Sequence, residues 1–330
     1  MNRDVPITYG GGLYDRTTAL HTGEVRPVGI DLSYLPLPIE DLFWRQGKYH
    51  EFDAAEYSFG AYLASVEDPA WAYTAIPVFP SRVFRHSAIY VRAGSGIDTA
   101  ARLAGTSVGT PEWSQTGSLW ARGILSEYYG VDLASIRWRT GGLQHAGRQE
   151  KSRVQPPQGI AVQALEPGQT LQQALLDGQI DALITARPPA AFIEGHPGIR
   201  RLFPDYRQEE GRYYESTGIF PIMHVVIVRK SLLQEYPWLA NNLRAAFEAA
   251  RRPAAGQLID SAVCSTSLIW EASYAEEERA RFGDPFVYGV EENRPTLEAL
   301  CRYAHQQGFT SKPLAPEDLF FPTTLTSAKV

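Results

Sequence analysis

The chain has 330 residues, of which 44% are hydrophobic and 21% charged, and its formal net charge at pH 7 is −6. Its length predicts two domains, and the lack of an apolar run of about 18 residues argues against a membrane-spanning helix. The acidic balance argues against nucleic acid as a partner, and the two cysteines form neither a disulfide framework nor a zinc motif.

Short apolar runs alternate along the chain with stretches of helical periodicity, which is the pattern of an α/β protein. Strands are predicted, in chain order, at 7–9, 30–35, 75–79, 88–92, 107–110, 136–140, 182–185 and 224–229. Helices are predicted at 38–48, 117–129, 170–178, 231–252 and 295–307, with a break at Pro237 because proline interrupts a helix interior. Thr170 is the predicted N-cap of its helix, and Gly178 is its predicted C-cap.

The N-terminus and the glycine-rich segments bear on compartment and domain boundaries. No basic segment precedes an apolar stretch and a small-residue cleavage site, and unpaired cysteines suit reducing cytosol. We therefore expect a cytoplasmic protein, with an exported protein whose leader has been removed as the alternative. Boundaries are predicted near 94–96 and 218–221.

The segment from Tyr9 to Thr17 runs from a predicted strand through three glycines to a predicted helix start. Free backbone N–H groups at such a junction can meet an anion, and Arg16 can hold a carboxylate with both arms of its guanidinium. The alternative is a glycine-rich turn in which Asp15 caps the helix.

Two later junctions have the same form. Segment 109–117 offers the hydroxyls of Ser114 and Thr116 and free backbone N–H groups, or else a simple helix cap. Arg187 follows strand 182–185, at the edge where open α/β sheets place ligands, or else it is a surface residue before a turn.

Two histidines and two glutamates are candidates for proton transfer. Arg85 and His86 stand among aromatic residues before a predicted strand, and His224 opens an apolar strand, where a histidine needs a partner. His86, His224, Glu56 and Glu112 can transfer protons or bind a metal ion if the fold brings them together, although a structural role is the alternative for His86. No HExxH or GxSxG motif indicates a metalloprotease or a hydrolase nucleophile.

Motifs spread over almost the whole chain occur in the order YDRT (14–17), AIPVFPSR (75–82), FRHS (84–87), GGL (141–143), GRQEK (147–151), RLFPDY (201–206), TGIFPIMH (217–224), YGV (288–290) and NR (293–294). Together they resemble the 4,5-dihydroxyphthalate decarboxylase family. The chain departs from the family pattern at two places: the stretch 113–117 reads WSQTG, and Ala55 stands before Glu56 where the family tends to have serine. These differences affect the prediction of which ring substituents the substrate carries more than the prediction of the reaction.

The resemblance implies the α/β, two-lobed type 2 periplasmic binding-protein-like fold, with two crossover strands and a central cleft. Lobe one would comprise residues 1–93 plus 220–330, and lobe two, inserted into it, residues 94–219. The junctions at Asp15, Glu112 and Arg187 would then converge on the cleft from both lobes.

The resemblance also implies a carboxy-lyase of phthalate degradation that converts 4,5-dihydroxyphthalate to protocatechuate and CO2 without oxidation. Such a reaction needs no cofactor, because a phenol para to the carboxylate supplies the electrons; a divalent metal ion is the alternative. The predicted roles are carboxylate binding by Arg16, Arg85 and Arg187, ring protonation by His86 or His224, acceptance of the phenol proton by Glu56 or Glu112, and further substrate contacts from Asp15, Thr17, Ser87, Ser114 and Thr116.

Two other functions compete with this interpretation. The first is a non-catalytic solute-binding protein for an aromatic acid. The second is the effector lobe of a transcription regulator, which the lack of a helix-turn-helix before residue 7 disfavours. The expected partner is a small aromatic carboxylate, with no nucleic acid and no membrane; homo-oligomerisation is left open.

Overall fold

The strands of the computed structural model, which describes residues 4–150, 152, 154–259 and 262–325, form two mixed sheets. Their bounds are β1 (Val5–Gly11), β2 (Ile30–Pro36), β3 (Ala54–Ser58), β4 (Tyr73–Ile76), β5 (Ile89–Arg92), β6 (Ser107–Thr110), β7 (Arg137–Thr140), β8 (Val162–Ala164), β9 (Ala182–Ile184), β10 (Ile199–Arg201) and β11 (His224–Arg229). The first sheet has the order β2-β1-β3-β11-β4, and the second has the order β10-β5-β9-β6-β7-β8.

The helices cover both sheets. Their bounds are α1 (Asp15–His21), α2 (Ile39–Tyr49), α3 (Phe59–Leu63), α4 (Thr116–Glu127), α5 (Leu171–Leu176), α6 (Ala190–Ile193), α7 (Tyr206–Thr217), α8 (Lys230–Glu235), α9 (Leu239–Gln257), α10 (Glu271–Phe282) and α11 (Arg294–Gln306). Among the described residues, none of these helices has the length and apolarity that crossing a bilayer requires.

The chain passes from the first sheet to the second between β4 and β5 and returns between β10 and β11. The first sheet is therefore built from two separate parts of the chain, as in the predicted lobe one. The predicted boundary after residue 93 leaves β5 with that lobe, whereas the strand pairs with β9 and β10 in the second sheet. The exact lobe bounds stay a prediction, and residues 1–3, 151, 153, 260–261 and 326–330 of the predicted lobes lie outside the described residues.

Strand β11 lies between β3 and β4 in the first sheet and is antiparallel to both. Its run Val225–Val226–Ile227–Val228 is fully buried, as β-branched residues in a strand covered on both faces are expected to be. The register sets His224 opposite Ser58 and Val226 opposite Glu56. Because side chains alternate between the faces of a sheet, Glu56 and His224 are diagonal neighbours on one face.

Most of the predicted elements match observed ones. Thr170 caps α5 by accepting a hydrogen bond from the backbone N–H of Gln173, and Gly178 follows the helix with a positive φ of 73°. Pro237 separates α8 from α9, so the predicted break is confirmed. The sequence did not indicate β3, β8 or β10, which are short and lack a run of β-branched residues.

Candidate active site

A cavity of about 790 Å³ lies between the elements of the two sheets. One wall comes from α2, the end of β3 and the start of β11; the other comes from the loops that follow β6, β7 and β9. The second wall therefore uses the carboxyl ends of parallel strands, where α/β sheets bind ligands. The predicted residues that line the cavity are Arg85, Glu112, Ser114, Thr116, Arg187 and His224.

Behind the cavity wall, Glu56 is completely buried and accepts three hydrogen bonds. Its Oε2 accepts from the backbone N–H of Gly12 at 2.8 Å, and its Oε1 accepts from the hydroxyl of Tyr14 at 2.8 Å. Oε1 also lies 2.6 Å from Nδ1 of His224, whose side chain is 17% exposed. The edge of the Phe43 ring packs against the imidazole, with the ring centres 4.9 Å apart.

These contacts settle the charge of Glu56. Burial raises the pKa of its carboxyl, but the hydrogen bonds from His224, Gly12 and Tyr14 outweigh burial, so the pKa lies below its usual value. Glu56 is thus a carboxylate that only accepts, and Nδ1 of His224 carries the proton that it donates to Oε1. The other imidazole nitrogen, Nε2, is left for the cavity, where it can accept or donate a proton.

Arg85 contributes a buried cation to the same cavity. Only 8% of the residue is exposed, and its Nη2 and Nε donate to the Sδ of Met223 at 2.6 and 3.1 Å. Burial lowers the pKa of Arg85 to about 10, so the guanidinium stays charged at neutral pH. Its Cζ would lie 3.1 Å from a Cβ at Gly117, so the missing side chain lets Arg85 rest on the first turn of α4.

The hydroxyl groups of the cavity mainly join the two sides. The Oγ1 of Thr116 lies 2.8 Å from the Oγ of Ser58 and accepts from the backbone N–H of Gly60 at 2.9 Å. Ser114 donates its hydroxyl and its backbone N–H to the carboxylate of Glu150. Thr116 therefore links α4 to β3 and α3, and Ser114, in the loop after β6, is held by the loop after β7.

At the mouth of the cavity, two arginines from the second wall face acidic residues. The Nε of Arg148 donates to Glu112 at 2.6 Å, and Nη1 of Arg148 lies 3.9 Å from Glu40. The Nη2 of Arg187 lies 3.4 Å from Glu40, and both of these side chains are more than half exposed. Glu112 is thus an ion-pair partner of Arg148 in this structure.

The structure does not bring the first junction to the cavity wall, although the sequence analysis expected three junctions to converge there. The backbone N–H of Gly12 is already used by Glu56, and Nε of Arg16 donates to the carbonyl of Pro80 at 2.6 Å. Asp15 pairs with Arg16, and the hydroxyl of Thr17 donates to the carbonyl of Gly12. The segment therefore positions Glu56, through hydrogen bonds from Gly12 and Tyr14, without lining the cavity itself.

His86 and Ser87 also lie away from the cavity lining. His86 is 1% exposed and is enclosed by aromatic rings, with centres 5.4–5.8 Å away, from Tyr129, Phe203 and Tyr213. The backbone N–H of Ser87 donates to Glu210 on α7. Of the two candidate histidines, only His224 lines the cavity.

The site also contains residues that were not singled out as candidates. Tyr14 lies within the YDRT motif, but nothing in its spacing indicated a hydrogen bond to a glutamate 42 positions away. Met223 and Gly117 are apolar positions that gain importance only through their contacts with Arg85. Within the part of the chain that the structure describes, no group of three or more His, Cys, Asp or Glu side chains is arranged to hold a metal ion.

The arrangement pairs a proton-transfer group with a buried cation in one cleft, which suits a small anionic ligand. A bound group that received a proton from Nε2 of His224 would be held near the guanidinium of Arg85. The cleft is large enough for a single aromatic ring with several substituents.

No family model matches the chain. It is, however, 36% identical over 320 residues to a 4,5-dihydroxyphthalate decarboxylase of Comamonas testosteroni, and the match covers 97% of each protein. A protein of the same name from Pseudomonas putida is 34% identical over 216 residues, covering 66% of this chain and 83% of that protein.

Solved structures show the fold. A putative periplasmic sulfonate-binding protein, SsuA, from Methylobacillus flagellatus superposes with a TM-score of 0.52 at 14% identity, covering 98% of this chain and 93% of that one. A ligand-binding component of an ABC-type import system from Staphylococcus aureus gives 0.51 at 13% identity, covering 97% and 98%. The expected two-lobed type 2 periplasmic binding-protein-like fold is thereby confirmed. With more than a third of its residues identical over nearly its whole length, the chain belongs to the 4,5-dihydroxyphthalate decarboxylase family.

Proposed function

We propose that the protein is a cytoplasmic carboxy-lyase of phthalate degradation that converts 4,5-dihydroxyphthalate to protocatechuate and CO2. The observation that carries the proposal is the Glu56–His224 pair at the wall of a cleft that also contains the buried cation Arg85. The relatives named as decarboxylases support the same reaction. The proposed partner is a small aromatic dicarboxylate.

The reaction needs an electron source, a proton donor and a site for a dianion. When the hydroxyl para to the departing carboxylate loses its proton, electron density moves onto the ring carbon that carries this carboxylate. Protonation of that carbon gives a dienone, and loss of CO2 restores the aromatic ring. Because the electrons come from the substrate's own phenol, we propose that no cofactor takes part; activity that persists after exhaustive chelation is the expected result, and activity lost to chelation and restored by a metal ion would refute it.

His224 is the proposed proton donor. Its Nδ1–H is held by Glu56, so in the imidazolium the proton on Nε2 is the one that can reach a ring carbon. Glu56 fixes the orientation of the imidazole and stabilises its positive charge, and Tyr14 and Gly12 hold Glu56 in turn. Glu112 and Arg148, on the opposite wall, are the proposed contacts of the phenolic side of the ring.

The test is incubation with 4,5-dihydroxyphthalate and analysis for protocatechuate and CO2, using the wild type and His224→Gln. Removing a general acid lowers turnover by about 10²- to 10⁴-fold, and that loss is expected here. His196→Gln, an exposed histidine after α6, is the matched control and should retain turnover. Turnover near the wild-type level in His224→Gln would refute the assignment.

The same incubation tests the second candidate function, a solute-binding protein for an aromatic acid. This candidate is favoured by the fold, which is shared with periplasmic binding proteins. It predicts that the wild type binds the dicarboxylate and returns it unchanged.

A further inference from the structure

The proposed substrate carries two carboxylates, and its own chemistry does not determine which of them is lost. Its two carboxylates are equivalent by symmetry, and each stands para to a hydroxyl. The product, 3,4-dihydroxybenzoate, still carries a carboxylate para to a hydroxyl, so the same chemistry would allow a second loss of CO2. A reaction that stops after one loss therefore needs a site that treats the two carboxylates differently.

Arg85 makes the cleft asymmetric. Its guanidinium is more than nine-tenths buried and lines the cavity, and the hydrogen bonds that it makes within the described residues go to the sulphur of Met223 alone. No carboxylate among those residues forms an ion pair with it. The carboxylate of Glu210 acts on Arg85 through its charge but forms no ion pair with it. A thioether is a weak acceptor, so no anion is bound directly to the buried guanidinium.

The start of α4 adds positive potential at the same place. The guanidinium lies against Gly117 in the first turn of this twelve-residue helix, where the unpaired backbone N–H groups carry partial positive charge. A cation placed at the positive end of a helix is unfavourable by itself. The guanidinium and the helix N-terminus stabilise each other's surroundings only when an anion lies between them and interacts with both. This is the arrangement of a site for a carboxylate.

Such a site is unsuited to the carboxylate that departs. A carboxylate loses its negative charge as it becomes CO2, so a strong cationic site would stabilise the bound substrate more than the transition state. Resting on the proposed function, we propose that Arg85 and the N-terminus of α4 bind the carboxylate that is retained, and that the carboxylate on the neighbouring ring carbon leaves beside His224. Met223 and Phe43 give that second position an apolar wall.

The cavity lining supports this division. Met223, whose sulphur contacts Arg85, and His224 both line the cavity, so the anion site and the proton donor open onto the same space. Two carboxylates on neighbouring ring carbons would meet them side by side. In the step itself, His224 gives a proton to the ring carbon, the bond from that carbon to the carboxylate breaks, and its electron pair returns to the ring; each turnover takes up one proton from solvent.

The proposal explains why the reaction ends. The product keeps the carboxylate that Arg85 binds and presents a C–H bond, at carbon 6, where the departing carboxylate had been. In the product phenolate, His224 can protonate that carbon to the same dienone, and loss of the original hydrogen to solvent as a proton restores the aromatic ring, but no second carboxylate lies in the reacting position. In D2O the enzyme should therefore exchange the hydrogen at carbon 6 of 3,4-dihydroxybenzoate for deuterium.

The experiment follows deuterium in 3,4-dihydroxybenzoate by NMR and measures its inhibition of dicarboxylate turnover, for the wild type, Arg85→Met and Arg85→Lys. In the wild type we expect exchange confined to carbon 6 and competitive inhibition. Arg85→Met should slow exchange and weaken inhibition by about tenfold to a hundredfold, the range expected for a lost charge-assisted hydrogen bond. Arg85→Lys, which keeps the charge without the two-armed geometry, should fall between.

Arg252→Met is the control, because Arg252 lies on the outer face of α9 with its side chain 73% exposed. Inhibition and exchange that are equal in the wild type and Arg85→Met would overturn the inference, as would exchange spread over other ring positions. If the wild type converts no dihydroxyphthalate, the proposed function fails, and calorimetry with benzene-1,2-dicarboxylate still tests the anion site. Binding by the wild type that Arg85→Met loses would support the site, and equal binding would overturn it.

Discussion

At the scale of single residues, His86 shows how burial turns a candidate proton donor into a neutral packing residue. The ring is enclosed by aromatic side chains, and neither ring nitrogen has a hydrogen-bond partner within the described residues. Burial lowers the pKa of His86 to about 4. The ring is therefore neutral at neutral pH and packs between α7 and the segment that joins β4 to β5, the first crossing of the chain.

This shift predicts a pH dependence of stability. Between pH 6.5 and 4 the unfolded chain binds a proton at residue 86 that the folded chain does not bind, so the free energy of unfolding falls as the pH falls. The slope approaches about 1.4 kcal/mol per pH unit, or about 3 kcal/mol over the whole interval. Urea unfolding at several pH values should show this loss in the wild type and a shallower curve in His86→Phe. Parallel curves for the two proteins would contradict the prediction.

For Arg85 we expect a substitution that removes function without lowering stability. A buried charge without a direct ion pair costs free energy, so replacing Arg85 by the similarly long, apolar Met should leave the melting temperature unchanged or raise it. The same change removes the proposed anion site. Thermal unfolding of Arg85→Met measures the first effect, and a clear fall in melting temperature would show that the guanidinium is needed for the fold.

At the scale of elements, strand β3 explains why the sequence named Glu56 and His224 as candidates but did not place them together. Its sequence, AAEYS, contains a charged residue and two alanines, so neither alternation nor β-branched residues indicated a strand. Glu56 nevertheless meets His224 because β3 pairs with β11, 168 residues later in the chain. Local patterns predicted most strands and helices, whereas this long-range pairing, and the enclosure of His86 by distant rings, depend on the whole fold.

The first turn of α4 gives a prediction for an element. Gly117→Ala places a Cβ about 3.1 Å from the guanidinium of Arg85, which must shift by a few tenths of an ångström. Alanine favours the helix by at most about 1 kcal/mol, so stability should hold or rise slightly while substrate binding weakens. For a loss of about 1 kcal/mol, KM for the dicarboxylate should rise about fivefold.

A double-mutant cycle supplies the control for this prediction. If the alanine acts through the guanidinium, it should weaken binding in the wild type and have no further effect in Arg85→Met. Equal effects in both backgrounds would show that Gly117 contributes to the site independently of Arg85.

At the scale of the whole molecule, the two sides of the cleft are joined in different ways. On one side, α4 is tied by buried hydrogen bonds from the indole of Trp120 to the carbonyl of Ile222, at 2.8 Å, and from Arg122 to the side chain of Gln307, at 2.7 Å. At the mouth, the joining contacts are ion pairs of Glu40, which is about half exposed, with the partly buried Arg148 and the exposed Arg187. Exposed ion pairs contribute about 0–1 kcal/mol, so we expect any separation of the two sides of the cleft to begin at the mouth.

Glu40 is thus placed to compete with an anionic substrate for two arginines. Glu40→Gln removes the competing charge, and because an exposed ion pair contributes at most about 1 kcal/mol, KM for the dicarboxylate should fall by up to about fivefold at low salt. Screening should abolish most of the difference at about 0.5 M salt. Asp41→Asn makes the same change in net charge one residue later on α2 and is the control for general electrostatics. A rise in KM in Glu40→Gln alone would mean that the carboxylate holds the arginines in place for the substrate, and that the ion pairs at the mouth favour the bound state.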